Sequence, residues 1–277
     1  MMTKRRKKKK SNESKPTLAE RADKHILYED SVQCVESEID FVDDTFKEIR
    51  NRNAKTLRED FCGTANTSCE WIRRRKTNIA YGVDIDSSVQ EWGREHHLSK
   101  LTTGQLSRCN LITDDVLKVK TPPVDIVLAM NFSYWIFKNR KLMTRYFKRI
   151  YECLNEDGVF FLDSFGGSEA FQEMEESTEE SSYTYIWDQA KYNPITGDGL
   201  FHIHFTFKDG SRLDKAFTYD WRVWTLPELT EMLSDAGFKP SVYWEGTDDD
   251  GDGDGVFTRT TMGEADLGFI AYIVAEK

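Results

Sequence analysis

The most constraining feature of the sequence is an alternation of short β-rich runs and longer helical stretches between residues 56 and 163. The β-rich runs are Thr56–Arg58, Ile79–Ile85, Asn110–Ile112, Val124–Ala129 and Val159–Asp163. The helical stretches between them are Thr67–Arg75, Ser88–His97 and Lys141–Leu154. Strands separated by helices form βαβ units, so the pattern predicts an α/β fold whose mostly parallel sheet is covered by helices on both faces.

The pattern changes after Gly167, where we predict an antiparallel β insertion that follows the fifth strand and occupies residues 168–225. The acidic segment Phe171–Ser182 indicates a helix that gives way to a loop. Alternating apolar and polar residues then predict antiparallel strands at Tyr183–Trp187, Leu200–Lys208 and Leu213–Trp224. A helix and two final strands complete a main sheet of seven strands: Leu226–Ala236, Ser241–Trp244 and Phe269–Ala275.

Charge is unevenly distributed along the 277 residues, whose formal total is −10. Seven basic residues between Lys4 and Lys10 leave a formal charge of −17 on the rest of the chain. A domain with this much negative charge repels the phosphate backbone of nucleic acids. We therefore exclude a general nucleic-acid-binding protein. We expect residues 1–16 to be a disordered basic tail and residues 17–277 to form one domain that begins with helical structure over Ala19–Arg52. The tail fits a solubilising segment, a nuclear targeting signal or a tether to an anionic surface.

Cysteines and hydropathy predict a cytoplasmic protein without a membrane segment. Five cysteines are scattered without a CxxC pair, which favours neither a disulfide framework nor a zinc site. The apolar stretch Phe269–Ala275 is far shorter than the roughly 20 residues of a membrane span, and the basic N-terminus does not lead into an apolar signal segment. The acidic segment Asp248–Gly255 resembles a calcium loop beginning at Asp250, but Thr261 occupies the position of the bidentate glutamate, so we predict no metal site.

The segment most informative about function is Leu57-Arg-Glu-Asp-Phe-Cys-Gly-Thr-Ala65, a strand that enters a tight loop and opens a helix. Ligands of open α/β sheets bind at this end of the strands. A dinucleotide site would need a GxGxxG pattern, because glycines allow the backbone to approach the pyrophosphate. Only Gly63 is present, and the acids Glu59 and Asp60 precede it. The loop therefore favours a cationic ligand without phosphate.

Acids at the ends of the next two strands extend this site. Asp84 ends the second strand, where a carboxylate accepts hydrogen bonds from ribose hydroxyls. The third strand leads into Thr113–Val116, which offers a carboxylate for an exocyclic amine and an apolar neighbour for the face of a ring. A ribose acid, an adenine acid and a loop that tolerates positive charge together describe S-adenosylmethionine.

In these segments the sequence resembles class I S-adenosylmethionine-dependent methyltransferases. Glu59–Ala65 resembles the first motif, usually an acid-x-Gly-x-Gly-x-Gly run, in the Leu-Arg-Glu-Asp-Phe-Cys-Gly-Thr-Ala version of bacterial small-molecule methyltransferases. Tyr81–Asp84 resembles the second motif, Asp114–Val116 the third, and Ala129–Ser133 the segment that closes over the methionine end. The resemblance covers residues 50–165, the helix end at Leu233–Phe238 and the final strands. It implies a Rossmann-like fold.

The resemblance also implies a role for each matching residue. Glu59 would orient the methionine ammonium group, and Cys62 and Gly63 would line the methionine through backbone groups. Asp84 would hold the ribose, with Ile85 against the adenine. The other implied cofactor contacts are Asp115 at the adenine edge, Val116 at its face and Asn131 beside the methionine.

Three residues of the segment Leu57–Ala65 bear on the shape of this site. Phe61 and Ala65 stand where the family has glycine, so the resemblance predicts the location of the loop but not its exact path. Arg58 lies inside the end of the first strand, where a charge needs either an acid partner or a ligand carboxylate. We include Arg58 among the candidate cofactor contacts.

The insertion is expected to form the acceptor side of the site. Phe132–Trp135 replaces the Asn-Pro-Pro-Tyr segment that methylases of exocyclic nucleic-acid amines and of glutamine amides share. Aromatic residues of the insertion either roof a pocket or pack the insertion onto the sheet: Tyr183, Tyr185, Trp187, Trp221 and Trp224.

No catalytic dyad is evident, because methyl transfer mainly requires that donor and acceptor be aligned and water excluded. The candidates are Tyr134, His202 and Arg222. His202 shares one strand face with His204, so the pair faces either the pocket or the solvent. Arg222 either binds a substrate carboxylate or pairs with a surface acid.

These features predict a methyltransferase that uses S-adenosylmethionine to methylate nitrogen or oxygen of a small-molecule acceptor. Two alternatives remain. The basic tail is compatible with a protein or RNA substrate, and the same motifs are compatible with a catalytically silent module that binds the cofactor without turnover.

Overall fold

The computed structural model describes residues 15–247 and 253–277. Residues 1–14 of the predicted tail and residues 248–252 of the acidic segment lie outside the described residues. The helices are α1 (Leu18–Arg21), α2 (Lys24–Val32), α3 (Val35–Arg50), α4 (Asn66–Arg74), α5 (Ser87–His96), α6 (Thr103–Leu106), α7 (Arg140–Cys153) and α8 (Leu226–Asp235). The strands are β1 (Thr56–Asp60), β2 (Ile79–Asp84), β3 (Cys109–Thr113), β4 (Val124–Ala129), β5 (Leu154–Gly166), β6 (Met174–Glu179), β7 (Tyr183–Tyr192), β8 (Asp198–Phe207), β9 (Arg212–Arg222), β10 (Lys239–Thr247), β11 (Gly253–Thr260) and β12 (Phe269–Glu276).

The main sheet has the strand order β11-β10-β12-β5-β4-β1-β2-β3. Strands β1 to β5 are parallel to their neighbours in this group, whereas β12 runs antiparallel between β5 and β10. The order reverses beside β1, which places the switch point of the sheet at the loop after Asp60. This confirms the predicted Rossmann-like α/β fold with an antiparallel insertion after the fifth strand.

The predicted count of seven strands is wrong, because β11 adds an eighth at the edge beside β10. Phe257 turns inward from this strand and stacks on Tyr272, with the ring centroids 4.0 Å apart. That contact partly buries Phe257, in a segment between the two predicted final strands for which the sequence predicted no strand.

The helix predicted within Phe171–Ser182 is also wrong. A 3-10 turn at Glu169–Phe171 leads instead into β6, which pairs antiparallel with β7. Helix propensity is a weak preference, and here the unpaired backbone edge of β7 outweighs it. The glutamates of β6 remain exposed on an edge strand, where charged side chains discourage pairing with other molecules.

Apolar side chains divide into two layers on the main sheet. Helices α7 and α8 pack on one face together with the inner face of the β6–β9 sheet. Helices α3 and α4 pack on the other face. None of the helices within the described ranges is both long enough and apolar enough to cross a membrane.

The predicted helical region Ala19–Arg52 is divided into α1, α2 and α3, and the first two helices connect the two sheets. Backbone amides of Leu18 and Ala19 donate to Asp209 and Ser211 at the turn between β8 and β9. Leu27 of α2 is buried against the insertion, in a cluster with residues of β7 and β8. The opposite side of α2 contacts the loop after β1 through the Glu29–Thr64 hydrogen bond.

Candidate functional site

The loop after β1 follows a left-handed path at alternate residues. The φ angles are 58° at Phe61, 48° at Gly63 and 59° at Ala65. Left-handed backbone normally favours glycine, because a Cβ atom crowds the following carbonyl group there. Phe61 and Ala65, which stand where the first motif of the resembling family has glycine, therefore adopt a backbone conformation that glycine favours. Strained backbone of this kind is concentrated at functional sites.

Hydrogen bonds from neighbouring elements fix the loop. The amide of Cys62 donates to the Val83 carbonyl (3.0 Å), and the amide of Gly63 donates to Asp84 Oδ2 (2.8 Å). Thr64 Oγ1 donates to Glu29 Oε1 of α2 (2.5 Å), and Glu29 Oε1 also lies 2.7 Å from His97 Nε2. The loop is thus held between β2 and α2 in a single arrangement.

Asp84 and the residue after it face the space above this loop. Asp84 Oδ1 accepts from the amide of Asp86 (2.9 Å), while Oδ2 holds Gly63. Burial raises the pKa of Asp84, although these amide hydrogen bonds oppose the shift. Ile85 is 75% exposed, which is unusual for a large aliphatic side chain, and a Cβ atom on Gly63 would have no atom within 4 Å. An open, partly apolar surface therefore lies beside a fixed carboxylate.

Glu59 is a buried acid of β1 whose carboxylate reaches the first turn of α4. Its Oε2 accepts from the amide and the hydroxyl of Ser68 (2.9 and 2.5 Å). Burial raises the pKa of Glu59 to about 7, even though the Ser68 hydrogen bonds favour the charged form. A nearby cation would stabilise the charged form further.

The other predicted adenine contacts lie in the loop after β3. Asp115 Oδ1 accepts from the Leu117 amide (2.9 Å), and Oδ2 pairs with Lys118 (3.0 Å). Burial would raise the pKa of Asp115, but these two contacts outweigh it and lower the pKa. Val116 is buried in the core, so its side chain also anchors the loop.

The segment after β4 brings Asn131 together with an acid that the sequence reasoning missed. Asn131 and Phe132 both have φ of 55°, and their amides donate to the two carboxylate oxygens of Asp163 (2.7 and 2.9 Å). Burial raises the pKa of Asp163 to about 7. The sequence did contain a signal for Asp163, because it is a lone acid directly after the apolar run Val159–Leu162.

Arg58 is an internal ion-pair residue. Its side chain is 2% exposed, and its Nε and Nη2 donate to the two carboxylate oxygens of Asp60 (2.6 and 3.1 Å). Nη2 also donates to the Val116 carbonyl (3.2 Å), and Tyr146 donates to Asp60 (2.9 Å). Burial would lower the pKa of Arg58, but Asp60 outweighs it and raises the pKa. Of the two partners predicted for Arg58, an acid of the protein or a ligand carboxylate, the structure shows the acid, Asp60.

The three catalytic candidates lie away from the open space of the site. Tyr134 is fully buried, and its hydroxyl donates to the Asp163 carbonyl (2.6 Å). Arg222 pairs with Glu228 (2.9 Å) and lies over the ring of Trp224, which agrees with the surface-acid alternative.

His202 lies on the wrong face of β8 for a pocket base, and the solvent-facing alternative is also wrong. Ile203, the next residue, faces the cavity described below, so His202 points to the opposite face. Both histidines of the pair are buried: His202 Nδ1 lies 2.9 Å from Thr218 Oγ1, and His204 contacts Asp188 and Asp214. They help to bind the strands of the insertion to one another.

A cavity of about 1000 Å³ lies between the insertion and the segments after β4 and β5. Asn131, Phe132 and Asp163 line this cavity. Of the aromatic residues singled out in the sequence, Tyr185, Trp187 and Trp221 line it as well, and the ring of Trp221 contacts that of Phe132 (6.3 Å between centroids). Trp187 also stacks on Phe201 (5.4 Å), so the rings roof a pocket and pack the insertion at the same time. The volume suits a small organic molecule.

The raised pKa of Asp163 predicts a measurable pH dependence. The folded pKa of about 7 exceeds the usual value of 3.8, so the stabilising contribution of the protonated form is complete below pH 4 and is lost as the pH rises through 7. We therefore expect the free energy of unfolding of wild type to fall relative to that of Asp163→Asn between pH 4 and 7, with a slope of up to about 1.4 kcal/mol per pH unit. Urea unfolding of both proteins at several pH values measures this difference. A constant difference across that range would contradict the prediction.

The fold is shared with solved structures of methyltransferases. One is an S-adenosylmethionine-dependent methyltransferase from Clostridium acetobutylicum, with a TM-score of 0.67 and 15% identity over 91% of this chain and 96% of that chain. Another is the S-adenosylmethionine-bound amino pentose methyltransferase CalS10 from Micromonospora echinaspora (0.66, 14% identity, 91% and 95%). A third is the sugar N-methyltransferase KedS8 from a Streptoalloteichus species (0.62, 16% identity, 92% and 93%). At these identities the likeness establishes the fold. No family model matches the chain, and no curated protein matches it.

Proposed function

We propose that this chain is an S-adenosylmethionine-dependent methyltransferase that transfers a methyl group to nitrogen or oxygen of a small-molecule acceptor. The observation that carries the proposal is the loop after β1, whose left-handed path at Phe61, Gly63 and Ala65 is fixed by Asp84. Phe61 and Ala65 stand where the first methyltransferase motif has glycine, and both adopt a backbone conformation that glycine favours, which supports the resemblance. The fold shared with an amino pentose and a sugar N-methyltransferase supports the same class of activity.

The residues around the loop fit the proposed cofactor. Asp84 is placed to accept hydrogen bonds from a ribose, and exposed Ile85 offers an apolar face for the adenine. Glu59, with its raised pKa, favours a cationic group near the start of α4. The cofactor, when bound, supplies a methyl group already activated on a sulfonium. Asp115 and Asn131 remain candidate contacts at the two ends of this site.

The chain itself would mainly orient the acceptor and exclude water. Asp163 fixes the backbone of Asn131 and Phe132 at the boundary between the proposed cofactor site and the cavity. A fixed boundary of this kind would align the methyl donor with the acceptor. Such alignment lowers the activation free energy of well-oriented reactions by about 7–11 kcal/mol. Because Tyr134, His202 and Arg222 are engaged elsewhere, we assign no catalytic role to any of them.

A protein or RNA substrate is less well supported than a small molecule. The cavity has acidic lining residues, which would repel the phosphates of RNA, and its volume suits a small acceptor. A catalytically silent module would bind the cofactor equally well, so turnover has to be measured separately. We retain the cytoplasm as the proposed compartment, on the scattered cysteines of the sequence.

Thermal unfolding with added ligands tests the proposal. S-adenosylmethionine and S-adenosylhomocysteine should each raise the unfolding temperature, because a ligand at 100 times its Kd stabilises the folded state by about 2.7 kcal/mol. NAD should have no effect, because the loop lacks the glycines that accommodate a pyrophosphate. A shift with NAD and none with S-adenosylmethionine would overturn the proposal. Incubation of the protein with labelled methyl donor and a metabolite extract then distinguishes an enzyme from a silent module.

A further inference from the structure

The cavity beneath the insertion has an unusual composition for a small-molecule site. Among the described residues that line it, eleven are aromatic and none is lysine, arginine or histidine. Six are acids: Glu38, Asp163, Glu169, Glu176, Glu245 and Asp254. A concave surface with one sign of charge concentrates ligands of the opposite sign. Aromatic faces attract cations as well, by about 0.5–2 kcal/mol for each contact.

Glu38 is the acid of this cavity whose charge the fold leaves least satisfied. It lies in the first turn of α3, and its Oε1 is buried without a hydrogen-bond partner among the described residues. Burial raises the pKa of Glu38 well above its usual value and the nearby acids Glu59 and Asp163 raise it further, whereas a hydrogen bond from Thr67 opposes the shift without outweighing it. An unpartnered buried carboxylate oxygen destabilises a protein, so its presence in a ligand-sized cavity indicates a group that arrives from outside.

The other buried acids of the site already have partners. Both oxygens of Asp163 accept backbone amides, and Glu59 accepts two hydrogen bonds from Ser68. Glu245, nearer the rim, accepts from the amide of Gly255 (3.1 Å). Glu38 is therefore the carboxylate best able to bind a cationic group directly.

We propose that the methyl acceptor is an amine that binds in its protonated form, with its ammonium group on Glu38 and its apolar part against the aromatic residues of the cavity. Before transfer the ammonium group gives one proton to the Glu38 carboxylate. The nitrogen lone pair then forms the N–C bond as the S–C bond of the sulfonium breaks, and S-adenosylhomocysteine leaves. This inference rests on the proposed function, and it narrows the open choice between nitrogen and oxygen acceptors to nitrogen. In this assignment Glu38 determines specificity by recognising charge. An alcohol of the same shape would leave the carboxylate unpaired, which is how a polar site rejects an analogue that lacks the matching group.

Matched amines and alcohols test the inference without knowledge of the natural acceptor. Benzylamine and cyclohexylamine are compared with benzyl alcohol and cyclohexanol by calorimetry, using the full chain saturated with S-adenosylhomocysteine. We expect each amine to bind at least tenfold more tightly than its alcohol. Equal affinity within each pair, or no binding of either amine, would overturn the inference.

Two variants identify the residue responsible. Glu38→Gln keeps the shape of the side chain but removes its charge, and it should abolish the tenfold preference for amines. Glu176→Gln is the matched control, because Glu176 lines the same cavity from an exposed position on β6 and should retain the preference within about twofold. Unchanged amine preference in Glu38→Gln would overturn the assignment of Glu38. The wild-type comparison of amine with alcohol requires no variant, so it decides the ligand class even if Glu38→Gln does not fold.

Cofactor binding separates this inference from the proposed function. Glu38→Gln should bind S-adenosylhomocysteine with nearly wild-type affinity. If it loses that affinity and the amine preference together, Glu38 recognises the methionine ammonium group, and the inference is wrong. If wild type does not bind S-adenosylhomocysteine at all, the proposed function fails; the amine and alcohol titrations, repeated without it, still report on the cavity.

Discussion

Replacing Asp84 with asparagine should weaken the binding of S-adenosylmethionine by roughly ten- to a hundred-fold, at about 1.4 kcal/mol per decade. Asp84 stands at the carboxyl end of β2, and a carboxylate there accepts from two ribose hydroxyls through charge-assisted hydrogen bonds. Asparagine loses the charge and one acceptor oxygen. Because Asp84 also accepts from the amides of Gly63 and Asp86, the free energy of unfolding without ligand should fall by about 1 kcal/mol. Calorimetric titration and urea unfolding measure the two effects.

Asp86→Asn is the matched control for this experiment. Asp86 caps the N-terminus of α5, where its Oδ1 accepts from the amide and the hydroxyl of Ser88 (2.8 and 2.6 Å). Asparagine is nearly as good a helix cap as aspartate, so both affinity and stability should be close to wild type. If Asp86→Asn greatly weakened the binding of S-adenosylmethionine and Asp84→Asn did not, the ribose would have to be assigned to a different acid.

Replacing Arg58 with methionine should lower the free energy of unfolding by about 3–5 kcal/mol, because it leaves the buried carboxylate of Asp60 without its ion-pair partner. The side chain of Asp60 is 0% exposed, and Arg58 provides two of its hydrogen bonds. Urea unfolding of the ligand-free protein measures the loss. Such a loss without ligand would identify Arg58 as a residue of the fold instead of a cofactor contact.

A triple variant provides the control. Arg58→Met combined with Asp60→Leu and Tyr146→Phe replaces the whole buried polar group by apolar side chains of similar size, which is often neutral in other proteins. We expect it to regain most of the lost stability. If Arg58→Met alone kept its stability but lost affinity for S-adenosylmethionine, Arg58 would belong to the cofactor site after all.

The parallel half of the fold was predictable because it depends on local periodicity. The strands β1 to β5 contain short β-rich runs, most of them separated by helical stretches, and this alternation is visible in the sequence itself. The errors concern β6 and β11, which are edge strands rich in exposed residues. Their structure is determined by backbone pairing with a neighbour, and no periodicity in their own residues reports it.

The site was predictable where strand ends determine position. Gly63 and Asn131 follow β1 and β4, Asp84 ends β2, and the carboxyl ends of parallel strands lie at one edge of the sheet. The roles of Arg222 and His202 depend on partners, Glu228 and Thr218, that only the tertiary structure brings within reach. Glu38 was missed because its role depends on the absence of a partner. Its Oε1 is buried in a cavity without a hydrogen-bond partner among the described residues, and the residue type alone does not reveal this.

The bridging position of α2 has a consequence for protein engineering. Its residue Glu29 holds the loop after β1 through Thr64, while Leu27 is buried against the insertion and Ser31 lies within hydrogen-bond distance of Tyr183 (3.0 Å). A chimera that exchanges only residues 168–225 with a related enzyme would therefore place a foreign surface against α2. Transplanting a new acceptor preference requires both pieces of chain, residues 15–33 and the insertion, to be moved as one matched cassette.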